Sequence, residues 1–257
     1  MSAHHRPAQP AWPPKSAPRL FVHVPLTQGA AVFIEGAQAH YLSRVMRVGV
    51  GDAVVLCDDL TGEWACRVQE AGKREVVVVP EVHSRTREEV PDFELIPALL
   101  KKDRFDVVLE KATELGVRRI QPVITRRCVA DKLNGERART LVVEAAEQCA
   151  RTALPELELA VKLDLLLRDW NPHRVLFFAD EDADHAGGEP AAAAFAAHQG
   201  PASLLIGPEG GFDEAERAAI RALPQARPIS LGPRILRGET AAIAGTALWM
   251  AVAGDWK

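Results

Sequence analysis

The sequence predicts an α/β protein led by a small β-rich domain, and three features predict it. From Arg19 to about Val82, short β-branched runs are separated by turn residues. Beyond Pro91, apolar strand-like runs alternate with amphipathic helical stretches. Two Gly-Pro bends, Gly207-Pro208 and Gly232-Pro233, each close a strand and precede a helix.

In the first part the strand candidates are Ala53–Cys57, Glu63–Val68 and Glu75–Val79, with the turn Asp58-Asp59-Leu60-Thr61-Gly62 between the first two. Turns at this spacing suggest a small β-barrel. The stretch Ala37 to Val48 interrupts it as a helix, with Leu42, Val45 and Met46 at helical spacing and Arg44 and Arg47 on the other side. A charged, strand-poor stretch from Ser84 to Pro91 marks a domain boundary.

In the second part, Phe93–Leu100 reads as a strand, Asp103–Leu115 as an amphipathic helix closed by Gly116, and Arg119–Ile124 as a strand. Glu136–Ala153 reads as a long helix, and Arg174–Ala179 and Ala202–Ile206 as buried strands. Asp213, with Glu216 three residues on, is the capping box of another helix. Such alternation implies a parallel sheet covered on both faces. The last helix, Glu239–Ala253, carries Ala241, Ala242, Ala244, Gly245 and Ala247. This small-residue face suits close packing against either the core or a subunit mate.

The chain has 257 residues, 47% of them hydrophobic and 26% charged, which is the composition of a globular protein of one large or two modest domains. Apolar runs such as Val175–Phe178 and Leu204–Ile206 fall far short of the roughly 20 residues a membrane-spanning helix needs. The first 17 residues, rich in Pro, Ala and His, lack the basic start and apolar stretch of a secretory signal and read as a disordered leader, His4 and His5 included. Cys57, Cys66, Cys128 and Cys149 form no C-x-x-C pair, so no metal site is expected and the thiols read as reduced, in a cytoplasmic protein.

The net charge of −4 argues against a nucleic-acid partner only on average. Residues 101–151 hold twelve basic and eight acidic side chains, and the segment after them nine basic and fifteen acidic. Binding to phosphate needs a basic face, not a basic protein. Counts alone fit such a face and fit a helix whose charges meet water equally well.

The run Leu205–Asp213 takes a buried strand into a glycine-rich turn and a helix. It is neither G-x-G-x-x-G nor a P-loop, which removes support for dinucleotide and triphosphate ligands. A ligand at the C-terminal end of the strand and a tight structural turn both fit it. The run Ile229–Ala241 repeats the arrangement, and two such turns on neighbouring strands line one pocket, with Arg234, Arg237 and Glu239 projecting near it.

The pair IGPEGG and LGPRILRGETA, with EKATELGV (Glu110–Val117) and EAAEQCAR (Glu144–Arg151) upstream, resembles the RsmE family of 16S ribosomal RNA methyltransferases of the SPOUT superfamily. Pro18–Val22 and His40–Arg47 resemble that family's N-terminal domain, so the likeness runs from Pro18 to the end. It implies an RNA-binding PUA-like β-barrel over residues 18–84, a trefoil-knotted α/β methyltransferase domain over residues 91–257, and a homodimer. Knots are rare exceptions to the rule against threading and come here from the likeness alone. The implied reaction moves a methyl group from S-adenosylmethionine to N3 of a uridine in 16S ribosomal RNA of the small ribosomal subunit. The implied cofactor residues are Phe178, Ile206, Gly207, Pro208, Gly210, Gly211, Leu231, Gly232, Ile235 and Leu236.

Uridine N3 is a weak acid between two carbonyls, so the site must stabilise a developing anion. Arg237, helped by Arg126 or Arg127, suits that task, and Glu239 either positions the base or accepts its proton. A purely structural Glu239, favoured by the helix dipole, fits its place equally well. Arg44, Arg47, Lys101, Lys102, Arg126, Arg127 and Arg151 are candidates for phosphate contacts. Two positions depart from the family, Gly238 where Thr is common and Cys128 where Ser is common, which leaves their local roles open. The rivals are methylation of a ribose 2′-hydroxyl on the same scaffold and a non-catalytic RNA-binding assembly factor.

Overall fold

The computed structural model describes residues 12–179 and 188–256 and divides into two compact units, residues 1–88 and 89–257. Residues 1–11 of the expected leader, with His4 and His5, lie outside the described residues. Its remainder is not free chain: the Arg67 guanidinium lies 4.0 Å from the centre of the Trp12 ring.

The first unit is one five-stranded sheet of β1 (Arg19–Phe21), β2 (Val32–Glu35), β3 (Ala53–Asp58), β4 (Gly62–Ala71) and β5 (Glu75–Thr86), in the order β1-β3-β4-β5-β2. Its core gathers Leu20, Ile34, Leu42, Val54, Cys66 and Val78. Asp58 organises the β3–β4 turn from a buried position, its carboxylate accepting the N–H groups of Leu26, Leu60, Thr61 and Gly62 and the Thr61 hydroxyl. Burial alone raises this carboxyl, but the N–H groups of Leu26, Thr61 and Leu60 outweigh it and hold Asp58 below the usual carboxylate range.

Two expectations fail in this unit. The helix over 37–48 is a short α1 (Gly36–His40) that passes into a π turn, Tyr41–Val45, and Arg47 then takes φ 55. A π turn adds a residue and rotates the later side chains off the buried face. Leu42 therefore stays buried while Val45 and Met46 stand exposed. The stretch read as strand-poor from Ser84 is strand up to Thr86, because it pairs with β4 as far as Gly62 and Arg85 ion-pairs with Glu63 there.

The second unit is built on a seven-stranded parallel sheet. Its strands are β6 (Phe93–Pro97), β7 (Arg119–Ile120), β9 (Glu156–Leu157), β11 (Val175–Ala179), β12 (Glu189–Pro190), β13 (Ala202–Ile206) and β14 (Ala226–Ser230), in the order β12-β14-β11-β13-β6-β7-β9. All five residues of β13 are buried, as a central strand covered on both faces requires, and the hydroxyl of its one polar residue, Ser203, donates to Glu94 Oε2 of β6 at 2.6 Å. The expected strand 119–124 is split at Gln121-Pro122. Residues Val123–Ile124, as β8, leave the main sheet to pair with β10 (Val161–Lys162).

Six helices of this unit can be named among the described residues: α2 (Lys102–Glu114), α3 (Gly135–Cys149), α4 (Leu163–Arg168), α5 (Ala191–Ala196), α6 (Glu214–Ala222) and α7 (Gly238–Val252). In α2 the buried residues are Phe105, Val108, Leu109, Ala112 and Thr113, one stripe at helical spacing. The small residues of α7 let it lie on β13: a Cβ on Gly245 would come 2.6 Å from Leu204 Cδ2. Trp249 of α7 stacks on Phe93 of β6 with ring centres 4.2 Å apart. Removing a buried aromatic of this kind costs about 3–5 kcal/mol.

Candidate active site

Strands β14, β11 and β13 are neighbours, and all three end on the same side of the sheet because they are parallel. The loops leaving β13 and β14 therefore meet over their C-terminal ends, where open α/β sheets place ligands. Between them lies a cavity of about 130 Å³ walled by Ala179, Ile206–Pro208, Gly211-Phe212, Ile229–Leu236 and the first turn of α7. In the first loop Gly211 alone takes positive φ (64°), and in the second Gly232 does (112°). These are the two places where the backbone requires glycine.

Of the ten residues expected to hold the cofactor, eight line this cavity: Ile206, Gly207, Pro208, Gly211, Leu231, Gly232, Ile235 and Leu236. Two do not. The Phe178 side chain is fully buried in a second core with Ile96, Leu176 and Leu205, since alternation turns it away and presents Ala179 instead. Gly210 faces the Arg127 stem, 3.4 Å from where its Cβ would sit. Phe212 and Arg217 line the cavity although the motifs did not single them out. Ile235 is 90% exposed at the mouth, an apolar side chain standing in solvent beside an apolar cleft.

The capping box opens α6 as the sequence implies: Asp213 accepts from the Glu216 N–H at 2.7 Å, and Glu216 accepts from the Asp213 N–H at 3.1 Å. Glu216 has a second task, its other oxygen accepting the Arg126 N–H at 2.7 Å. Arg126 then reaches Asp213 at 2.9 Å, and Arg127 donates to the Gly210 carbonyl at 2.7 Å. The 125–128 turn is thereby fastened to the glycine-rich loop. Cys128 stabilises the turn from inside, its Sγ 3.3 Å from both the N and Oγ1 of Thr125. The Glu216 N–H, with Arg126 assisting, holds the Asp213 carboxyl below the usual range.

Arg237 is the N-cap of α7 and its side chain is exposed; it makes no side-chain cap. Glu239 lies in the first helical turn, with one carboxylate oxygen, Oε2, buried and without a hydrogen-bond partner among the described residues. Both flank Gly238, which lines the cavity. Arg126, expected to assist Arg237, is instead tied to Asp213 and contributes nothing to the cavity wall.

Lys101, Lys102, Arg44 and Arg47 are all exposed. Arg151 corrects the sequence reading: it is 6% exposed, and its Nη1 donates to the Thr113 and Val117 carbonyls at 2.8 and 3.1 Å. It ties the chain after α3 to the end of α2 and is not a surface phosphate contact. Among the described residues no cluster of three or more His, Cys, Asp or Glu is placed to hold a metal ion, and no helix is long and apolar enough to cross a membrane.

The family model described as an RNA methyltransferase domain matches residues 87–250, and one described as an RNA methyltransferase PUA domain matches residues 34–81. The chain belongs to the RNA methyltransferase family. This RNA methyltransferase is 30% identical to the ribosomal RNA small subunit methyltransferase E of Bacillus subtilis, over 81% of this chain and 85% of that protein. It is 28% identical to the enzyme of the same name from Rickettsia conorii, over 89% and 93% of the two chains. In structure it is similar to the Neisseria gonorrhoeae ribosomal RNA small subunit methyltransferase E, solved bound to S-adenosylmethionine. There the TM-score is 0.84 at 26% identity, over 94% of this chain and 100% of that one. A Legionella pneumophila methyltransferase solved with the same cofactor bound gives 0.80 at 27% identity, over 93% and 99%. The α/β architecture is thus that of SPOUT methyltransferases preceded by a PUA-like domain.

Proposed function

We propose that this protein transfers the methyl group of S-adenosylmethionine to N3 of a uridine in 16S ribosomal RNA of the small ribosomal subunit. One observation carries the reading: both Gly-Pro loops border a single cleft, and Gly238 in its wall is flanked in sequence by Arg237 and Glu239 at the start of α7. The cleft suits an adenosyl group, with Ile206, Phe212 and Leu236 as apolar walls and the exposed Ile235 as a flap in want of a partner. When bound, the donor supplies an electrophilic methyl group on a sulfonium.

The rest falls to the chain's own side chains. The Arg237 guanidinium, permanently charged, stabilises negative charge developing on a uracil carbonyl oxygen. The Glu239 carboxylate accepts the N3–H hydrogen bond and then the proton. Arg44, Arg47, Lys101 and Lys102 meet phosphates and set the register of the RNA. The target base leaves its stack to reach the cleft. The reading includes a cytoplasmic homodimer with a knotted second domain. On α7, Ala244, Ala247 and Ala251 form a row of small residues at helical spacing, the first and last exposed, that suits a second copy of the chain.

The test is incubation with methyl-labelled S-adenosylmethionine and unmodified small ribosomal subunits, followed by nucleoside mass spectrometry. N3-methyluridine is expected. A methylated ribose would overturn the site of transfer, and cofactor binding without any transfer would favour an assembly factor. Arg237→Ala should slow transfer by about ten- to a hundredfold with cofactor affinity held. Equal rates would remove Arg237 from the chemistry.

A further inference from the structure

Arg104 lies in the first turn of α2, outside both Gly-Pro loops, yet it reaches a carboxylate in each. Its Nη1 is 3.0 Å from Glu209 Oε1 in the first loop, and its Nε is 3.8 Å from Glu239 Oε1 in the second. We infer that Arg104 is a positioning residue for methyl transfer, the strap that sets the Glu239 carboxylate by anchoring it to Glu209. This rests on the function proposed above.

The backbone at this point is already secured without Arg104. Gly238 packs on Leu100 and faces the Gly207 carbonyl oxygen, which fixes the start of α7 against the first loop. What that packing leaves undetermined is the direction of the Glu239 side chain. The Arg104 Nε stands 3.8 Å from Oε1 as an ion pair, while Oε2 is buried without a hydrogen-bond partner among the described residues. A guanidinium suits the task because its planar fork offers N–H groups along separate edges, so that one side chain can serve two acids at once. An ammonium on a flexible stem is a point charge and holds one acid well or two loosely.

A plain surface ion pair explains the same distances but predicts something different, since pairs about one-third exposed contribute little to stability and nothing to chemistry. The experiment compares the full-length protein with Arg104→Ala, Arg104→Lys, Glu239→Gln and the Arg104→Ala/Glu239→Gln double variant. It measures kcat on small ribosomal subunits and the Kd for S-adenosylmethionine by calorimetry. Arg104→Ala should lower kcat by about tenfold or more while Kd moves less than about threefold, and Arg104→Lys should recover part of the loss. The double variant should be no slower than Glu239→Gln alone, because the strap has nothing left to position. Arg104→Gln, which keeps part of the aliphatic stem, replaces the alanine variant if thermal melting shows that the latter is unfolded. A kcat within twofold of the parent, or losses that multiply in the double variant, overturns the inference while leaving the functional reading intact. A parent protein that transfers no methyl group overturns both.

Discussion

Gly238 and Leu100 touch so closely that a Cβ at position 238 would come 2.9 Å from Leu100 Cδ2 and 3.2 Å from Cδ1. Leu100 is only 3% exposed, so it has little room to yield. The residue that departs from the family pattern is thus matched to its neighbour: glycine here admits a leucine at position 100. Gly238→Thr should destabilise the second unit by about 1–3 kcal/mol, as overpacking does. Pairing it with Leu100→Val should return most of that loss, and thermal melts of the three proteins measure it. Additive losses would show that the two sites are independent.

Arg127 is committed to the glycine-rich loop through the Gly210 carbonyl. Arg127→Ala removes one charge-assisted hydrogen bond of about 1.5–3 kcal/mol, part of which restrains residues 207–211. The affinity for S-adenosylmethionine should weaken by about three- to tenfold, read by calorimetry. An unchanged affinity would return Arg127 to the role of a phosphate contact alone.

Acid should act first on the β3–β5 side of the first unit. Asp58 and Glu63 are both depressed: burial opposes this, but the backbone N–H groups around Asp58, and Arg85 and Arg19 at Glu63, prevail. A carboxyl whose folded value lies below its unfolded one, about 3.9 for Asp, stabilises fully above the unfolded value. That stabilisation is lost as pH falls through the folded value. Stability should therefore drop below about pH 4, and Asp58→Asn should cost stability at pH 7 yet flatten the acid limb. Denaturant melts between pH 2 and 7 track both effects; an equally steep limb in the variant would acquit Asp58.

The thiols should react in order of access. Cys57 and Cys66 are buried, and desolvation pushes each up to about 12, so neither offers thiolate near neutral pH. Cys149 is exposed and should be the first to react with an aromatic disulfide at pH 8. Cys57 and Cys66 should react only on unfolding, and labelling of either in the native protein, read by peptide mass spectrometry, would contradict this.

The elements legible in the sequence are those whose signals are local. The Asp213–Glu216 box states its own geometry in four residues, and α2 is written in its apolar spacing from Phe105 to Thr113. The largely apolar run of β13, ending Leu204-Leu205-Ile206, announces a central parallel strand. The motifs IGPEGG and LGPRILRGETA indicated that two turns share a cleft, since each comes after a strand and precedes a helix.

The features that stayed illegible depend on side chains that meet across long stretches of chain. Arg151 looks like any basic residue until packing encloses it and the open carbonyls at the end of α2 claim its guanidinium. Val45 and Met46 keep helical spacing, yet a π turn at Tyr41 moves them into solvent. Phe178 is the penultimate residue of the right strand but faces the wrong way, because side-chain direction along a strand alternates and only the register with β13 says which parity meets the cleft. The contacts of Arg104 with Glu209 and Glu239 span more than a hundred residues. Hydrophobic periodicity and turn chemistry act over a few bonds and can be read along the chain. The pairing of charges depends on distance through space, so only the folded structure decides which ones meet.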